Sequence, residues 1–79
     1  MSKSLYRLHH ALILYSQGDV SYNANGSAVD LTISDFHLDD NDKLREICEE
    51  HDFRVAGEIE NHIVGGKPKI KFRCLVGTL

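Results

Sequence analysis

SLYRLHHALILYSQ, residues 4–17, decides the fold, because it holds more apolar side chains than one helical face can use. Leu5, Leu8, Leu12 and Tyr15 recur at helical spacing and form one stripe. Tyr6, Ile13 and Leu14 fall off that stripe. A helix that covers one side of a sheet needs a single apolar face. Something else must shelter the remainder, and two folds do so. As a helix, the segment leaves Tyr6, Ile13 and Leu14 on its flanks as a surface for a partner or a second copy. As a strand, residues 5–16 lie inside a sheet with both faces apolar. A turn at Gln17-Gly18 then pairs Tyr15 with Val20 and Ile13 with Tyr22.

Gly18 follows the helical pattern and offers a left-handed C-cap. Asn25-Gly26 comes next, between alternating apolar residues, and marks a hairpin. With those two residues as the turn, Tyr22 faces Val29 and Val20 faces Leu31. Asp39, Asp40 and Asp42 then crowd a helix start, where carboxylates cap free amides and complement the dipole. Leu44, Ile47, Cys48 and His51 give that helix one narrow inner face, with Arg45, Glu46, Glu49 and Glu50 outside. The acids Glu49, Glu50 and Asp52 at its far end have the wrong sign for the dipole.

Gly65-Gly66 turns a second hairpin. In its simplest register Val55 faces Val76, Gly57 faces Cys74 and Ile59 faces Phe72, while Glu58 meets Arg73 and Glu60 meets Lys71. Pro68 early in the last strand suits an edge position. The expected fold is therefore α+β, in the order αββαββ, with two helices on one face of a four-stranded antiparallel sheet. The strand reading of residues 5–16 gives βββαββ instead.

The 79 residues are expected to make one domain, 1–79, with a net charge of −3 and 42% apolar residues. That balance is globular, and it argues against indiscriminate nucleic-acid binding. No apolar run is long enough to cross a bilayer, and no cleavage pattern follows residues 11–15, so the chain reads as cytoplasmic with no membrane partner. Cys48 and Cys74 are too few for a disulfide scaffold and read as reduced core thiols.

Three constellations carry potential chemistry. The first is Tyr6, Ile13 and Leu14, a partner surface. The second is Lys67, Lys69, Lys71 and Arg73, which alternate and so share one face of the last strand. They read as edge protection or a charged rim, or alternatively as phosphate contacts for a nucleic acid. The third is Cys48 and His51, one helical turn apart, with Cys74 and more distantly His62 as further metal ligands. The paired ligand spacings of structural zinc are missing, so no metal or other cofactor is expected.

Other motifs fail on inspection. Residues 35–46 have the length of a calcium loop, but Asp40 replaces its glycine and His37 stands at an oxygen position. Asn25-Gly26-Ser27 matches a glycosylation acceptor that a cytoplasmic chain never presents to the enzyme. Gly65-Gly66-Lys67 lacks the spacing of a phosphate loop. An enzyme would need a cleft around His37 or His51, and no catalytic motif supports one. The expectation is a small, non-enzymatic protein-binding domain acting by occlusion or as an adaptor. Accessory proteins and inhibitors have this size, including those that phages direct at host or defence complexes.

Overall fold

The computed structural model describes residues 3–76. The elements are α1 (Lys3–Ser16), β1 (Asp19–Asn25), β2 (Ala28–Ser34), α2 (Asn41–Glu50), β3 (Phe53–Val64) and β4 (Lys67–Val76). The strands form one antiparallel sheet in the order β1-β2-β4-β3. This is the αββαββ arrangement expected from the sequence. β2 and β3 are both antiparallel to β4 and so run parallel to each other, and α2 is the crossover between them.

Residues 5–16 are helical, and the five-stranded alternative is excluded. Helical spacing wins because Leu5, Leu8 and Leu12 bury together against the sheet. Each such leucine contributes about 1.5–3 kcal/mol of transfer free energy. β2 supplies the facing row, with Val29, Leu31 and Ile33 buried and their neighbours turned outward. Ile70, Phe72 and Cys74 of β4 continue it, and Leu44, Ile47 and Cys48 of α2 close the core over β3.

α1 ends differently from expectation. Gln17, at φ 55°, takes the left-handed position, and its N–H donates to the Ile13 carbonyl at 2.7 Å. Ser16 Oγ donates to the Leu12 carbonyl and accepts from the Gly18 N–H, which ties off the last turn. Gly18 is needed for space instead. A Cβ there would lie 2.5 Å from the Ser34 carbonyl oxygen, where β1 begins beside the end of β2.

The first hairpin turns one position later than Asn25-Gly26. Asn25 pairs with Ala28, Tyr22 with Leu31 and Val20 with Ile33, so Gly26-Ser27 is the turn. Gly26 alone has positive φ there, at 66°. A Gly-first turn spares Asn25 the left-handed conformation that an Asn-Gly turn would impose. The pairing shifts by an even number of residues, so the same side chains stay inside.

The second hairpin keeps its expected register only near the tip. Val64 pairs with Lys67 and Glu60 with Lys71 across the Gly65-Gly66 turn. Between Ala56 and Glu60 the ladder slips, and beyond it Ala56 pairs with Arg73 and Val55 with Cys74. The expected Val55–Val76, Gly57–Cys74 and Glu58–Arg73 pairs therefore do not form, and Ile59–Phe72 falls inside the irregularity. Gly57, at φ 79°, sits in this bulge in a conformation that costs other residues steric strain.

β4 is an interior strand, which corrects the edge assignment for Pro68 and the lysines. The Pro68 carbonyl accepts from the Asp35 N–H at 2.9 Å, on the β2 side and just past the end of β2. Its missing N–H falls on that same side. No bond to β3 is lost, so an interior strand tolerates the proline there.

Candidate functional site

α1 presents two opposite faces. Leu5, Leu8 and Leu12 are buried, while Tyr6 and Leu14 are each 65% exposed. Positions 6, 10 and 14 step by one helical turn, so Tyr6, His10 and Leu14 follow one another along the solvent side. Ile13 is half-buried at the margin of this stripe and not wholly part of it. Of the three residues expected on a contact surface, Tyr6 and Leu14 are thus largely exposed and Ile13 is so in part.

The same helix is pinned to β1 by a group outside that surface. His9 Nε2 lies 2.7 Å from the Val20 carbonyl, so Nε2 carries the proton and donates. Its ring meets Tyr22 edge-on at a centroid distance of 5.1 Å. His9 follows Leu5 by four residues and precedes Leu12 by three, which sets it at the margin of the buried stripe. Nothing in the spacing alone named Val20 as its acceptor.

The basic residues of β4 lie on the sheet face away from the helices. Lys67, Lys71 and Arg73 are exposed and Lys69 is half-buried. Arg73 is committed to Asp30, its register partner on β2, through Nε at 2.7 Å and a second nitrogen at 3.3 Å. This two-pronged contact holds the Asp30 carboxyl below its ordinary range and raises Arg73. The expected Glu58 partner is displaced by the bulge. Around the bulge the face dips into an open depression lined by Asp30, Glu58, Glu60, Lys71 and Arg73. Carboxylates and cations alternate there, so the depression has no single sign with which to gather a polyanion.

The thiols and histidines fall out separately. Cys48 and Cys74 come within 3.7 Å across the α2–β4 contact, both fully buried and both free. The adjoining Cys74 thiol and the loss of water push the Cys48 thiol up, which keeps it protonated. His51 turns away from them. Its Nδ1 donates to the Ile47 carbonyl at 2.9 Å and caps α2. Asp52 then takes a left-handed conformation, φ 65°, that turns the chain into β3. These two contacts account for the end of α2 despite its unfavourable acids. His37 pairs with Asp39 at 3.1 Å in full solvent, and His62 pairs with Glu60 at 2.8 Å. Among the described residues no three metal-ligating side chains converge.

Comparison with family models, curated proteins and solved structures gave no match to this chain. Among the described residues no helix is long and apolar enough to cross a membrane.

Proposed function

We propose that this chain is a small, non-enzymatic protein-binding domain that acts by covering part of another macromolecule. The carrying observation is the outer face of α1, where Tyr6 and Leu14 stand in solvent opposite a complete buried stripe. Exposed aromatic and aliphatic anchors on a rigid helix are typical of contact centres. The sheet beneath holds α1 in place, so the surface is preorganised and little ordering cost attaches to binding. Charged groups on α2 and β4 would orient the partner and speed encounter more than they would add affinity. A cytoplasmic accessory or inhibitor protein, of the kind phages make, fits this reading.

The test uses a Tyr6→Ala, Leu14→Ala double variant. Both side chains lie outside the core, so circular dichroism should match the parent. A stoichiometric partner that co-purifies with the parent chain should be lost from the variant. A folded variant that keeps full partner affinity overturns the reading.

Lys67, Lys69 and Lys71 support a second reading, contact with nucleic acid. Among the described residues no carboxylate pairs with these three lysines. That reading requires affinity that falls steeply with salt. Charge reversal at Lys69 and Lys71 would then abolish binding, whereas binding through α1 would survive it.

A further inference from the structure

The two edges of the sheet are not equally closed. β1 is partly covered, since α1 packs on it and His9 takes the outward Val20 carbonyl. The first half of β3 is interrupted by the Gly57 bulge. The second half, Glu60 to Val64, is regular and contains no Lys, Arg or Pro, the usual guards of an open edge. Val64 and Lys67 flank a two-residue turn and therefore bond to each other. Alternation then points the N–H and C=O groups of Asn61 and Ile63 away from β4. No other described residue bonds to those groups. Ile63 is also 80% exposed, more than any other large apolar side chain described.

We infer that this edge pairs with the same edge of a second copy, antiparallel about a two-fold axis. One register fits the side chains. With Asn61 opposite Asn61 of the second copy, Ile63 lies beside Ile59 of the second copy, and Glu60 lies opposite His62. The exposed isoleucine thereby lies against the buried Ile59 of the second copy, and the in-chain Glu60–His62 pairs of the two copies meet across the axis, carboxylate opposite imidazole. The four outward backbone groups of Asn61 are mutually satisfied at the centre. The ladder ends at Ile59, where the bulge begins. The product is an eight-stranded sheet with all four helices on one face, and a single patch suffices because the contact is isologous. This surface is separate from Tyr6 and Leu14, so the dimer leaves the outer face of α1 open.

Sedimentation of the full chain over a dilution series should give twice the chain mass. Ile63→Lys, at an exposed position, should weaken the dimer at least about tenfold, while Tyr6→Ala, Leu14→Ala should leave it intact. Asn61→Cys should form a disulfide-linked dimer on mild oxidation with oxidised glutathione, because the axis pair lies within disulfide reach. Ile63→Cys should not, because its opposite number is Ile59. A monomer at every concentration, an Ile63→Lys dimer as tight as the parent, or cross-linking at residue 63 in place of 61 would each overturn the inference.

Discussion

The chain is built from two αββ halves that solve the same problem by different means. In the first half α1 carries no acidic residue in its first turn and no basic one in its last. It is held by packing, through Leu5, Leu8 and Leu12, and by a side-chain tether from His9 to β1. In the second half α2 is shorter and is held at both ends by polar caps. Asp40 accepts from the Asp42 and Lys43 amides, and His51 donates to the Ile47 carbonyl. The hairpins diverge in the same way. β1 and β2 are both seven residues and pair without a break, whereas β3 runs twelve residues, slips at Gly57 and reaches past the end of β2. Both halves supply the core, but the irregular half leaves a stretch of open edge.

The comparison breaks most severely at Leu8 or Leu12, both fully buried. Leu8→Ala should destabilise the fold by about 2–5 kcal/mol, measured by urea unfolding. A protein of this size has a stability of only about 5 kcal/mol to lose, so the variant should be largely unfolded at moderate temperature. A cost below about 1 kcal/mol would mean that α1 is not docked through this stripe. Gly18→Ala comes next. Its new methyl would press on the Ser34 carbonyl oxygen, which belongs to the backbone and has little room to yield. The expected loss is about 1–3 kcal/mol. If the loss were instead a few tenths, the start of β1 would have to be looser than its pairing with Ser34 implies.

Asp40→Ala tests the polar half. It removes the side chain that satisfies two amides of α2 and should cost about 1 kcal/mol. Asp39→Ala, one residue earlier, should cost much less, because Asp39 pairs only with the exposed His37. Equal losses at the two positions would show that dipole charge, and not the cap, secures this helix start.

Much of this was legible in the sequence because the relevant signals are local. The Leu5, Leu8, Leu12 stripe, the acidic run before Asn41 and the Gly65-Gly66 turn each identify an element from neighbouring residues alone. Side-chain parity survived even where the register was displaced, since both slips were even-numbered. Strand order was not legible. The alternation of Lys67, Lys69, Lys71 and Arg73 is the same on an edge as in the interior, and Pro68 pointed to the wrong one. The bulge at Gly57 was hidden too, because Glu58 and Arg73 form a sensible charge pair in an unbroken ladder, and the slip instead sets Ala56 opposite Arg73. For the candidate site, the exposure of Tyr6 and Leu14 followed from helical spacing, while the open stretch of β3 depended on which strand lay outermost.

That displaced charge pair gives the smallest effect. Asp30 has its carboxyl pulled below its ordinary value of 3.8, chiefly by the hydrogen bond from Arg73. A carboxyl with a depressed folded pKa adds stability above its unfolded pKa and loses it as pH falls through the folded value. Asp30→Asn should therefore lower the melting temperature slightly and evenly at neutral pH. Parent and variant curves should converge only below about pH 4. Both partners are exposed, so the gap should also shrink in high salt. Glu58→Gln, at the partner that the bulge displaces, should leave the acid limb unchanged. If Glu58→Gln moved that limb as much as Asp30→Asn, the two strand halves would be pairing without a slip, and the contrast between the hairpins would be wrong.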